Sequence, residues 1–234
     1  MNKVDNIRFE LLMDAGNGAQ KAGDILIKAF AKLGLYVFIE PIIPAEISPP
    51  KRTPHSMSGV VIRLSNLEIT NIGSYSDIVF VEHEILLKRR LQDQEFQDNC
   101  LIFVDQGNRK RAEDDYASSE AEAKDAGYRI VPFSISEEAE KIIKSMNGNG
   151  KNMFYLGMLS RLFRVEQSLL KELIKQTFKK LSAEKLAMNL EIFDYGYQCV
   201  AIQDSDHVYI EGEEHHTEKI LLDGNTALSL GIID

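Results

Sequence analysis

Apolar residues recur along the first two-thirds of the chain in short runs, and stretches of helical periodicity separate them. The run "IRFELLM" at 7–13 reads as a strand. A glycine-containing turn follows, then an amphipathic helix over 19–33, with Gly34 as its stop. "YVFIE" at 36–40 reads as the second strand, and "GVVIRLS" at 59–65 with "LEIT" at 67–70 as a short hairpin. "DIVFVE" at 77–82, "CLIFVD" at 100–105 and "YRIVPF" at 128–133 complete the strands. The runs at 77–82 and 100–105 are nearly continuous in apolar residues, as strands buried on both faces require. Strands alternating with helices predict an α/β fold, a Rossmann-like and mostly parallel sheet with flanking helices and right-handed crossovers.

After Phe133 the pattern turns helical. Ser134 with Glu137 fits a capping box opening "ISEEAEKIIKSMN", and "NGNG" at 147–150 breaks that helix. "KNMFYLGMLSRLF", "VEQSLLKELIKQTFKKL" and a segment opening at Ser182 follow, giving a helical C-terminal part. Residues 203–219 are acidic and weakly patterned, and read as a linker. Beyond it Ile220, Leu221 and Leu222 run into the polar turn Asp223-Gly224-Asn225, and a helix begins at Thr226.

Composition narrows the function classes. The 234 residues suit one α/β domain with appendages, and 44% hydrophobic content is enough for a sizeable core. A net charge of −9 argues against general nucleic-acid binding, which is driven by neutralising phosphates. No apolar run approaches the roughly 20 residues of a membrane helix, and "MNKVDNIRFE" lacks a signal-peptide core. A cytoplasmic protein is expected. Cys100 and Cys199 are far apart and read as buried free thiols. Without a C-x-x-C motif the chain holds no cysteine-ligated zinc or iron–sulfur cluster by itself.

Two stretches carry candidate chemistry. In "MDAGNGAQKAG" at 13–23 a strand ends, Gly16-Asn17-Gly18 turns tightly, and a helix begins with Lys21 in its first turn. Such a turn aims backbone N–H groups at an anion, although an α/β fold needs strand-to-helix turns in any case. A dinucleotide fingerprint is only partial, because Lys21 takes the third glycine position. Glu40 stands where a ribose-binding acid would, which keeps a stand-alone Rossmann-like nucleotide-binding protein as the alternative. The second stretch, 41–58, contains five of the six prolines and offers Lys51, Arg52, His55 and Ser56, on a ligand-binding loop or merely a solvated one. His215 and His216 in "EGEEHHTE" fit no metal-ligand spacing and read as part of the solvated linker. His83 and Asp105 follow or end buried strands, as capping or binding residues. No nucleophile–base pair and no metal site emerge, so no catalytic residue is assigned.

Three segments together resemble one family. "AGNGAQKAGDILIKAFAKLGLYVF" resembles the opening of the γ component of 2-oxoacid:ferredoxin oxidoreductases. "IPAEISPPKRTPHSMSGVVIRLSNLEIT" resembles that family's loop and following strands, and "GKNMFYLGMLSRLF" with "MNLEIFDYGY" its C-terminal helices. "LLDGNTALSLGI" resembles the start of the thiamine-diphosphate pyrimidine-side (α) domain of the same enzymes. The resemblance implies a γ domain at 1–203, a linker at 204–219 and the truncated start of an α domain at 220–234, as in a fused γ–α subunit of the 2-oxoglutarate type. It also implies a complex using thiamine diphosphate, magnesium, a 4Fe–4S cluster and CoA. The partners would be a β subunit, ferredoxin and the α domain on the same chain, in an oligomer. Within it this segment would be structural, on the CoA side, and inactive alone. Gly16, Asn17, Gly18, Lys21, Arg52 and Ser56 would hold phosphate groups rather than perform chemistry. Where the family carries Arg-Gly-Gly in its loop, this chain has Arg52-Thr53-Pro54.

Overall fold

Strand β2 (Asn6–Asp14) is the axis of the molecule, and its neighbours on either side differ in direction. The computed structural model describes residues 2–212 and 220–233. Around β2 the chain builds α1 (Ala19–Lys32), β3 (Tyr36–Ile42), β4 (Met57–Ser65), β5 (Ser76–Val81), α2 (Glu84–Asp93), β6 (Phe96–Asp105), α3 (Glu113–Asp125) and β7 (Arg129–Phe133). The helices α4 (Glu137–Ser145), α5 (Lys151–Leu162), α6 (Gln167–Thr177) and α7 (Ala183–Tyr197) follow. A six-stranded sheet runs β3-β4-β2-β5-β6-β7. It is parallel from β2 through β7, and β4 is antiparallel to both β2 and β3. The expected α/β architecture is therefore present.

The 59–70 hairpin is not. Both edges of β4 are already hydrogen-bonded, to β2 and to β3, so residues 67–70 have no edge to join and lie outside the strands. The two prolines inside strands, Pro41 in β3 and Pro132 in β7, sit on the two edge strands, where a missing donor is tolerated.

Side-chain alternation along β2 divides the core between the two faces. Phe9, Leu11 and Met13 pack with α1, α5, α6 and α7, and Leu12 packs with α2 and α3 around Tyr116 and Val104. Phe80 and Phe103, neighbours on β5 and β6, stack at 4.4 Å between ring centroids on the larger side.

Helix ends follow their local chemistry. α1 stops where Gly34 takes φ 79°, and its N–H and that of Leu35 return to Ala31 and Phe30. α7 starts at Ser182, whose hydroxyl accepts from the Lys185 N–H, as the sequence indicated. The cap of α4 is Ser136 and not Ser134: Ser136 accepts from Ala139 N–H, while buried Ile135 keeps the chain extended past Ser134. Cys100 is buried on β6, whereas Cys199, past the end of α7, is only half-buried.

Residues 204–210 are tied to the domain. A 3₁₀ turn at Asp204–Asp206 places Asp206 against Arg129, and β8 (Val208–Tyr209) pairs with β1 (Asn2–Lys3). Residues 220–232 are exposed, and α8 (Gly224–Ile233) begins two residues before Thr226 because Asp223 accepts from the Thr226 N–H and hydroxyl. His215 and His216 lie outside the described residues. Among the described residues no helix is long and apolar enough to cross a membrane.

Candidate functional site

The parallel strands β2, β5 and β6 end side by side, and each delivers a carboxylate: Asp14, Glu82 and Asp105. This is the edge of an open α/β sheet at which ligands bind. All three are buried. Charges removed from water need partners, and each has them. Asp14 accepts from the Ser56 hydroxyl (2.5 Å), the Arg52 backbone N–H and His83 Nε2 (3.0 Å). Burial pushes Asp14 upward, but the hydrogen bonds from His83 and Ser56 outweigh it and hold the carboxyl below its ordinary range. Asp105 accepts from Tyr155 OH (3.0 Å) and Gly107 N–H (2.9 Å), and lies 3.2 Å from the Lys151 ammonium. Here burial wins over the pull of Lys151, and the carboxyl is raised. For Lys151 burial acts downward, and Asp105 and Glu82 overcome it, so its ammonium is held above the ordinary lysine value.

Beside this cluster lies a cleft of about 560 Å³. One wall is the turn, in which Gly16 (φ 88°) and Gly18 (φ 87°) both take the left-handed conformation. Gly18 is required for a second reason: a Cβ there would lie 2.6 Å from Asn152 Nδ2, which donates to the Gly18 carbonyl at 3.0 Å. The first turn of α1 contains no acidic residue, so its positive end is not neutralised locally. The opposite wall comes from the 145–150 loop and α7, with Lys185 and Met188, and Phe178 and Leu181 add apolar surface. Lys21 and Lys185 are the cations of the lining and Glu184 its acid.

Of the six residues proposed to hold phosphate, Gly16, Asn17, Gly18 and Lys21 line this cleft together. Arg52 and Ser56 do not line it. Ser56 is fully buried beside Asp14, and the Arg52 guanidinium pairs with Glu84 at 2.5 Å. Glu40 is exposed on β3, with β4 between it and β2, and faces a separate depression beside Arg8 and Glu95. The acid and the glycine turn of a dinucleotide fingerprint thus do not share a site. Sequence reading passed over Glu82, Lys151, Tyr155 and Lys185. One signal was available: three apolar strands each run into an acid, at Asp14, Glu82 and Asp105. Lys151, Tyr155 and Lys185 gave none, because only the packing of α5 and α7 brings them to this edge. Among the described residues, no group of three or more His, Cys, Asp or Glu side chains is placed to hold a metal ion.

Comparison with known proteins agrees with this architecture. Residues 14–199 match the family model described as pyruvate ferredoxin/flavodoxin oxidoreductase. The chain is 23% identical to the 2-oxoglutarate oxidoreductase subunit KorA of Mycobacterium tuberculosis (strain ATCC 25618 / H37Rv), over 99% of this chain and 37% of that protein. In structure it is similar to a 2-oxoglutarate:ferredoxin oxidoreductase from Magnetococcus marinus, with a TM-score of 0.76 and 24% identity over 98% of this chain and 37% of that one. It is also similar to pyruvate oxidoreductase subunit PORC from Thermotoga maritima, with a TM-score of 0.57 and 18% identity over 84% and 97% of the two chains. The chain thus spans little more than a third of the KorA and Magnetococcus proteins and nearly the whole of the Thermotoga subunit. With most of its length matched by the family model, the chain belongs to the pyruvate ferredoxin/flavodoxin oxidoreductase family.

Proposed function

We propose that this chain is a γ-type domain of a 2-oxoglutarate:ferredoxin oxidoreductase, a complex that oxidatively decarboxylates a 2-oxoacid to its acyl-CoA. Residues 1–203 form that domain, 204–219 the connection, whose residues 204–210 dock back onto the domain, and 220–234 the beginning of a thiamine-diphosphate pyrimidine-binding domain. The two relatives named for 2-oxoglutarate support the choice of substrate, and the Magnetococcus structure was solved with 2-oxoglutarate, coenzyme A and succinyl-CoA bound. The complex works in the cytoplasm as an oligomer, with a β subunit and ferredoxin as partners.

The observation that carries the reading for this chain is the cleft at the glycine turn. CoA carries phosphates at one end and a long uncharged arm at the other. The lining offers both halves: the Gly16–Gly18 turn with Lys21 and Lys185, and Phe178, Leu181 and Met188. The role of these residues is to bind and orient; none is a proton carrier or nucleophile at a reacting atom. The donor set of this chain does not fit an iron–sulfur cluster, since its two cysteines stand on β6 and past α7. The cluster, thiamine diphosphate and magnesium belong to the rest of the complex, where thiamine diphosphate supplies the carbanion chemistry of decarboxylation. Calorimetric titration of the chain with CoA, ATP and NAD tests this reading. CoA is expected to bind most tightly, and tighter binding of NAD would overturn it.

A further inference from the structure

Glu82 does not line the cleft, yet it holds one residue that does, Asn17, together with the first residue of α5. Glu82 is 4% exposed at the end of β5. Its carboxylate accepts from Asp14 N–H at 2.7 Å, from the Asn17 side-chain amide at 2.8 and 2.9 Å, and from the Lys151 ammonium at 2.7 Å. Those donors come from three places: the end of β2, the glycine turn and the first residue of α5. Asn152 adds a direct link from α5 to the Gly18 carbonyl. The start of α5 is in turn pressed onto α7, since a Cβ on Gly150 would lie 2.9 Å from Ile192 Cδ1. Lys21 stands on the turn side and Lys185 on the α7 side, so Glu82, together with the Asn152 link, sets the span between the two cations.

We propose that Glu82 is a positioning residue for the cleft, setting the distance between the Gly16–Gly18 turn and the start of α5 and with it the affinity for a phosphate-bearing ligand. The inference rests on the reading of the cleft as a CoA site. The charge is what the role needs. Three donors converge on one side chain, and an ionised carboxylate offers acceptors in every direction. A glutamine there would present its own N–H groups to Asn17 or Lys151 and leave a buried donor unpaired.

The test uses the full chain, hydrogen–deuterium exchange and calorimetry with CoA. Glu82→Gln is expected to speed exchange about ten-fold in segments 15–19 and 150–153, with the centre of β5 and β6 unchanged, and to weaken CoA about ten-fold. Asn17→Asp sets two carboxylates against each other and should likewise speed exchange in segment 15–19. Asn17→Ala, a milder change in a half-buried residue, serves if Glu82→Gln does not fold, and should speed exchange in both segments. Unchanged exchange in Glu82→Gln and Asn17→Ala overturns the proposal. So does wild-type CoA affinity in Glu82→Gln. Absence of CoA binding by the unaltered chain would instead overturn the ligand reading, and the exchange data would still decide whether Glu82 is the brace.

Discussion

Gly157 of α5 and Gly196 of α7 let their helices meet backbone to backbone. A Cβ on Gly157 would lie 2.1 Å from the Phe193 carbonyl oxygen, and one on Gly196 would lie 2.0 Å from that of Phe154. No rotamer change relieves a clash with backbone. Gly157→Ala and Gly196→Ala are each expected to cost about 3 kcal/mol or more, at the upper end of overpacking penalties. Urea unfolding of the two variants measures this. Because α5 and α7 both border the cleft, the variants should also weaken ligand binding.

The buried pair of Glu10 and Arg90 behaves differently from a surface ion pair. Arg90 donates to both Glu10 oxygens at 2.7 Å, and Glu10 is fully buried. Burial acts against the Arg90 charge, and Glu10 and Glu95 more than compensate, so the guanidinium is held above its ordinary value. Removing the acid alone, as in Glu10→Ala, leaves the buried Arg90 only the more exposed Glu95 and Asp93 and should cost about 3 kcal/mol. Replacing both partners with apolar residues, Glu10→Leu with Arg90→Met, should cost less than the single change. A double-mutant cycle in urea distinguishes the two outcomes.

Acid stability should report Asp14. Its carboxyl is held below the ordinary 3.8 in the folded state, so it contributes stability above that value. That contribution is lost as pH falls below 3.8 and through the folded value, because protonation then favours the unfolded chain. Asp14→Asn should therefore be less stable at neutral pH and should show a shallower loss of stability below pH 3.8. Thermal melts across the acid range check the sign.

Ligand affinity should depend on the two cleft cations separately. Lys21→Glu and Lys185→Glu are each expected to weaken CoA about ten-fold or more, corresponding to a charge-assisted contact. Arg52→Gln should leave CoA affinity within about three-fold, since its guanidinium is engaged with Glu84 outside the cleft. The same change should lower stability, by leaving buried Glu84 unpaired. Calorimetry and urea unfolding on each variant separate the two effects.

Local chemistry made much of the fold legible. The apolar runs at 77–82 and 100–105 read as doubly buried strands because both faces are covered by helices, and the β2 turn read as a turn because Gly16 and Gly18 alone tolerate its left-handed backbone. Ser182 was a cap in sequence and in structure, for the same nearest-neighbour reason. What failed was what depends on pairing partners. Residues 67–70 have strand composition, but β2 and β3 had already taken both edges of β4.

The sequence by itself determined the α/β class, the glycine turn and the family, because each rests on residues adjacent in the chain. Only the tertiary structure decided which residues make the site. It withdrew Ser56 into a buried bond with Asp14, turned Arg52 to Glu84, and brought Lys151 from the far side of five further strands and helices to Glu82. These are contacts between residues separated by 32 to 69 positions. Their occurrence depends on strand order and helix packing, through the need of every buried charge for a partner, and no local pattern encodes that order.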